Sequence, residues 1–176
     1  AGETINLGQE FFRWEVAVAA AGAALGIQPF DQPDVELAKT LARQAMAGTS
    51  QGVAADAPVR TSDRATLQKA VAGWLGKAQL GDYIVLQAYL APNDSTDGAL
   101  ASLQKTLRDT TRLATTLGFG PRFLHSTGQL HKGGPNSGLF VQFLDEPSEP
   151  LPVPETDYTF AQLLQAQALG DFQALV

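Results

Sequence analysis

Residues 82–125 read DYIVLQAYLAPNDSTDGALASLQKTLRDTTRLATTLGFGPRFLH. Asp82 to Leu90 is a run of β-formers bounded by turn signals, which predicts a strand. A loop containing Pro92, Asn93, Asp94 and Asp97 leads into a helix. Its expected buried stripe is Leu100, Leu103, Leu107, Ala114 and Leu117, with Gly118 as its stop. After Gly120 and Pro121, Arg122 to His125 reads as a second short apolar strand. Strand, helical crossover and strand favour parallel pairing through a right-handed connection. The expected fold class is therefore α/β, a small parallel sheet flanked by helices.

Downstream, HSTGQLHKGGPNSG (125–138) reads as a glycine-rich loop, and GLFVQF (138–143) as a third strand. In open parallel sheets ligands sit beyond the carboxyl ends of the strands, where this loop would lie. DEPSEPLPVPET (145–156) is a proline-rich connector, expected to be extended. Thr159 with Gln162 forms a capping box for a last helix, interrupted or bent at Gly170. Upstream, Ser62 or Asp63 caps a helix whose Leu67, Val71, Trp74, Leu75 and Ala78 follow helical spacing, and Gly81 ends it. Residues 48–61, GTSQGVAADAPVRT, are small, polar and without periodicity, hence a loop. The organisation expected is one domain over 1–176: a helical segment at 1–47, this loop, and an α/β part at 62–176.

The first segment centres on GQEFFRWEVAVAAAGAALGIQPFDQPDVELAK, residues 8–39. Asn6, with Gln9 reaching back, is the expected cap of a helix that is apolar almost throughout from Phe11 to Leu25. Such a helix is expected to be buried on most sides. Gly26 suits a left-handed residue after the helix end, and Pro29 cannot continue it. Pro33 fits the first turn of the next helix, where Asp34 and Glu36 complement the N-terminal dipole. On that helix Val35, Ala38, Ala42 and Met46 make one apolar stripe, with Lys39 at its edge. Lys39 is either a lysine laying its stem along apolar surface with its head in water, or one aimed into a site.

Composition narrows the function classes. A net charge of −6 argues against nucleic acid as a partner and means that an anionic substrate needs a local positive pocket. With no cysteine there are no disulfides and no thiolate metal sites. The longest apolar run, Val16 to Leu25, is too short to span a bilayer. No basic segment precedes it, so no signal peptide and no membrane partner are expected, and the expected location is cytoplasmic.

Both histidines, His125 and His131, fall in the 125–138 loop. Two histidines without a third ligand do not make a metal site, and Asp145 and Glu146 are too distant in sequence to nominate, so no metal and no cofactor are expected. Ser126 lacks the G-x-S-x-G surroundings of a nucleophile elbow. By residue types the loop is either a polar site for a phosphorylated or hydroxylated ligand or a structural turn. On the first reading His125 and His131 are candidate catalytic groups. Ser126, Thr127, Gln129 and Lys132 are then candidate substrate contacts, together with Gln32 of the earlier segment.

GIQPFDQPDVELAK resembles the C-terminal signature of the phosphoglucose isomerases, and EFFRWEVAVAAAGAALG resembles the helix that precedes it there. DYIVLQAYL, LATTLGFGPRFLHSTGQLHKGGPNSGLFVQF and YTFAQLLQAQALGDFQAL are similar to successive segments of fused transaldolase/phosphoglucose isomerase proteins. The resemblance implies a sugar-isomerase type of α/β fold and the interconversion of glucose 6-phosphate and fructose 6-phosphate. It places Lys39 where the family's lysine contacts the sugar near its ring oxygen and C1. In that family a glutamate base and serine- and threonine-rich phosphate loops precede this region. The resemblance thus implies a C-terminal piece beginning in mid-fold, with the N-terminal remainder of the same enzyme and a sugar phosphate as partners. The family's ring-opening histidine precedes the lysine motif, whereas His125 and His131 follow Lys39, so their assignment rests on loop chemistry alone. The rival reading is a non-catalytic sugar-phosphate-binding or regulatory module. Oligomeric state is left open.

Overall fold

The structure, a computed structural model, describes residues 4–31, 33–48, 58–146 and 151–175. Its centre is β1 (Tyr83–Tyr89), whose residues from Ile84 to Tyr89 are all buried. Such a run is what a strand covered on both faces of a parallel sheet requires. β2 (Ala114–Phe119) and β3 (Gly138–Leu144) flank it, both parallel to β1, in the order β2-β1-β3. Ile84 stands opposite Thr115 on one side and Leu139 on the other, and Gln87 lies between Gly118 and Gln142. The fold class is α/β, a three-stranded parallel sheet flanked by helices.

The side-chain alternation of the strands separates two faces. On one, Ile84, Leu86 and Leu139 pack with Leu107 and Leu113. Leu107 belongs to α4 (Asp94–Thr111), and α3 (Arg64–Leu75) adds Trp74 and Leu75. Each fully buried leucine or isoleucine here contributes roughly 1.5–3 kcal/mol. On the other face Tyr89 meets Phe123 and Leu124 of a 3-10 turn, Arg122–His125. Ala168 of α6 (Phe160–Gln173) completes that cluster. α6 also packs on α2 (Pro33–Met46). A Cβ built on Gly170 would stand 2.6 Å from the Ala38 carbonyl oxygen and the Ala42 nitrogen, so only glycine allows that approach.

Several local expectations hold. Asp63 caps α3 by accepting from the Thr66 N–H; Asn93, expected only in the loop before α4, caps that helix through Thr96. Thr159 and Gln162 form the reciprocal capping box of α6. Others need correction. α4 ends at Thr111, where Arg112 takes a left-handed conformation (φ 62°). Ala114 and Leu117 therefore belong to β2 rather than to the helix stripe, in a segment whose Thr115 and Thr116 are β-branched and favour a strand. Arg122–His125 is a 3-10 turn, not a strand. The expected 125–138 loop contains a helix, α5 (Gly128–Gly133). α6 continues through Gly170 without the expected interruption, and the missing side chain lets α2 pack closely there.

The chain divides into two compact units, 1–32 and 33–176, where the sequence reading has one domain. The first holds α1 (Thr4–Leu25). Asn6 lies inside this helix and does not cap it. Gly26 is left-handed (φ 68°); its N–H donates to Ala23 and that of Ile27 to Gly22, a Schellman end. Gly22 is buried under Pro29. The remaining residues from Asn6 to Leu25 are exposed, including Phe11, Phe12 and Trp14, contrary to the burial expected. One helix and its corner offer no second layer for that apolar surface within the unit. Gln32, most of the expected 48–61 loop, and residues 147–150 of the proline-rich connector lie outside the described residues. Among the described residues no helix is long and apolar enough to cross a membrane.

Candidate functional site

Three candidates lie on one short segment beyond β2. His125 and Ser126 are exposed, and Thr127 is half-buried just before α5. The Ser126 hydroxyl donates to the Phe123 carbonyl at 3.1 Å, which closes the 3-10 turn. α5 then turns its polar residues in different directions. Gln129 reaches α2: its amide donates to the Asp34 carboxylate at 2.6 Å, and its carbonyl oxygen accepts from the Asp34 N–H at 3.2 Å. Gly128 lies against Val35, also of α2.

His131 is half-buried among three rings, with centroid distances of 6.3 Å to Tyr83, 6.2 Å to Phe123 and 5.5 Å to Phe140. Burial lowers its pKa below the ordinary value. The Lys132 charge adds to this, and Asp171 opposes it. The imidazole is thereby held in its neutral form, packed as an aromatic.

Lys132 points inward. Its side chain is 1% exposed, and its ammonium forms an ion pair with Asp171 of α6, which is fully buried. Asp171 also accepts from the Tyr89 hydroxyl at 3.2 Å and from the Gln142 amide at 3.3 Å. Gln142 donates a second time to the Ala168 carbonyl. Burial, then the Asp171 charge and hydrogen bond, push the Tyr89 phenol far above its ordinary pKa, so it stays a donor. One carboxylate thus ties β1, β3, α5 and α6 together. Its desolvation is offset by a full positive charge and two neutral donors. The ammonium of Lys132 is committed to that knot, and a solvent-borne anion does not reach it.

Lys39 has the opposite environment. Its side chain is 42% exposed, and its ammonium lies 2.5 Å from Glu36, itself 64% exposed, one turn earlier on α2. The hydrogen bond from Lys39, and then its charge, hold the Glu36 carboxyl below the ordinary range. Val35 and Ala38 are buried beside it, Ala42 and Met46 half-buried, and Thr40 exposed, which is the wheel expected from the sequence. A surface pair of this kind is worth ~0–1 kcal/mol, so a ligand can displace it at little cost. Lys39 takes no part in the α2–α5 contact made through Asp34 and Gln129. No cluster of three or more potential metal ligands occurs among the described residues.

The sequence reading missed Asp34, Tyr89, Gln142 and Asp171. One signal was present: Asp171 is the sole charged residue from Tyr158 to Val176, and a lone acid in an apolar helix needs a buried partner.

The chain matches no protein-family model and no curated protein. Among solved structures it is similar to a hypothetical protein from Thermus thermophilus, at 18% identity and a TM-score of 0.49. That match covers 79% of this chain and 35% of the other. The chain therefore spans about a third of the length of the solved structure it matches.

Proposed function

We propose that this chain is the C-terminal part of a glucose-6-phosphate isomerase of the sugar-isomerase type, to which it supplies Lys39. The observation that carries the proposal is the contrast between two lysines. Lys132 is sealed in a buried ion pair, whereas Lys39, at the end of the motif that resembles the isomerase signature, presents a displaceable ammonium. Among the described residues, His125 and Ser126 are the other site candidates that are exposed.

The reaction opens the sugar ring, removes the C2 proton of the aldose through an enediolate, and returns a proton to C1. A lysine near the ring oxygen and C1 donates to the ring oxygen as the C1–O bond breaks. The proton that leaves the C1 hydroxyl as the aldehyde forms returns to the amine through solvent, and the restored ammonium then stabilises the negative charge that develops on the C1 oxygen. The base that moves the proton and the groups that hold the phosphate are contributed by the preceding part of the enzyme. That division suits a chain with a net charge of −6, which by itself repels a sugar phosphate.

Isomerase turnover of fructose 6-phosphate by the intact protein, measured with a coupled dehydrogenase, is the test. Lys39→Met keeps the apolar stem and removes the amine. It is expected to lower kcat by roughly 10²-fold, the scale of a positioned acid–base group. Near-normal kcat in the folded variant returns Lys39 to a surface role. Binding of 6-phosphogluconate without turnover by the wild type favours the binding-module reading instead.

A further inference from the structure

α2 begins at Pro33, so the Asp34 N–H belongs to the first turn and has no partner within the helix. The partner comes from 95 residues away: the Gln129 carbonyl oxygen accepts that N–H, while the Gln129 amide donates to the Asp34 carboxylate. Gln129 is a tertiary cap, gripping backbone and side chain of one residue together. The second grip on α2 is the close approach of Gly170 to the backbone at Ala38 and Ala42. Lys39 lies within the second anchor, between Ala38 and Ala42, and a little over one turn beyond Asp34. α2 also packs along α6, so the Gln129 grip at its start fixes its tilt on α6 and with it the direction of the Lys39 stem.

We infer that Gln129 is a positioning residue that orients α2 and, through it, the Lys39 ammonium. This rests on the isomerase reading above. Loss of the Gln129 grip leaves α2 held by its packing on α6, with Ala38 and Ala42 against Gly170, and lets the start of the helix tilt, which turns the Lys39 stem. Misplacing a reacting group by an ångström costs on the order of 10²-fold in rate. A looser helix that still samples the correct position loses less, roughly ten-fold.

The pair can be broken and rebuilt. Gln129→Glu sets two carboxylates against each other. Asp34→Asn alone keeps the geometry, because the Gln129 amide can donate to an asparagine oxygen. The double variant Gln129→Glu/Asp34→Asn restores the side-chain hydrogen bond with donor and acceptor exchanged, while the backbone N–H of residue 34 still donates to the side chain at 129. In the intact isomerase, Gln129→Glu is expected to lower kcat roughly ten-fold with KM within about two-fold. Asp34→Asn should be near wild type, and the double variant should recover most of the loss. Urea unfolding of each variant accompanies the kinetics. Normal kcat in folded Gln129→Glu, or no recovery in the double variant, overturns the inference. If Gln129→Glu does not fold, the double variant decides: wild-type kcat supports the inference and a persistent loss overturns it. An intact protein without isomerase activity overturns the functional reading and this inference with it. An active enzyme whose kcat ignores Gln129 overturns this inference alone.

Discussion

Lys132 and Asp171, 39 positions apart in sequence, meet as a buried ion pair at the junction of α5 and α6, each side chain no more than 1% exposed. Removing one partner strands the other as an unpaired charge in a site that water does not reach. Lys132→Met is therefore expected to cost about 3–5 kcal/mol, read from urea denaturation. The double variant Lys132→Met/Asp171→Asn removes the charge as well, and its asparagine oxygen still accepts from Tyr89 and Gln142. It should be more stable than Lys132→Met by ~2 kcal/mol. If the double variant is no better than the single, stranded charge is not the source of the loss.

Glycine substitutions separate packing from helix propensity. In Gly170→Ala the new Cβ meets two backbone atoms of α2 at 2.6 Å, so a helix has to shift. Overpacking of that order costs about 1–3 kcal/mol and outweighs a propensity gain of ~1 kcal/mol. In Gly73→Ala, within α3, the Cβ enters open space, and a gain of roughly 0.5–1 kcal/mol is expected. Opposite shifts of the urea midpoint at constant m would establish both. Equal gains would show that α6 and α2 are free to move apart.

His131 makes stability depend on pH. Its folded pKa lies below the ordinary value of 6.5, chiefly through burial, so the unfolded chain binds more protons between the two values. The contribution of this group is fully present above about pH 6.5 and is lost as pH falls through that range toward the folded pKa. His131→Gln cannot titrate. The stability difference between wild type and His131→Gln should therefore shrink on moving from pH 7.5 to pH 5.5. A difference independent of pH would mean that the imidazole is equally protonated in both states.

The elements that the sequence determined by itself are those whose signal is local and long enough to exceed its alternatives. β1 is a run of β-formers with turn residues at both ends, and β3 is a run of the same kind. The caps Asp63 and Thr159 lie three residues from the N–H groups they satisfy. The α2 wheel, with Lys39 at the edge of its apolar stripe, is a property of a single helix. Only tertiary structure decided the rest. Ala114 and Leu117 fit a helical stripe as well as a strand, and the left-handed turn at Arg112 resolves the ambiguity. The six residues of α5 are too few to nucleate alone, and they hold as a helix through contacts with α2 and α6. The roles of the polar residues followed from those contacts: Lys132 and Gln129, alike in sequence as exposed-looking groups in a glycine-rich stretch, turn to distant carboxylates. A residue's periodicity reports which face of its own element it occupies. The partner across that face is set by the packing of segments far apart in the chain, where the cost of burying an unpaired charge selects it.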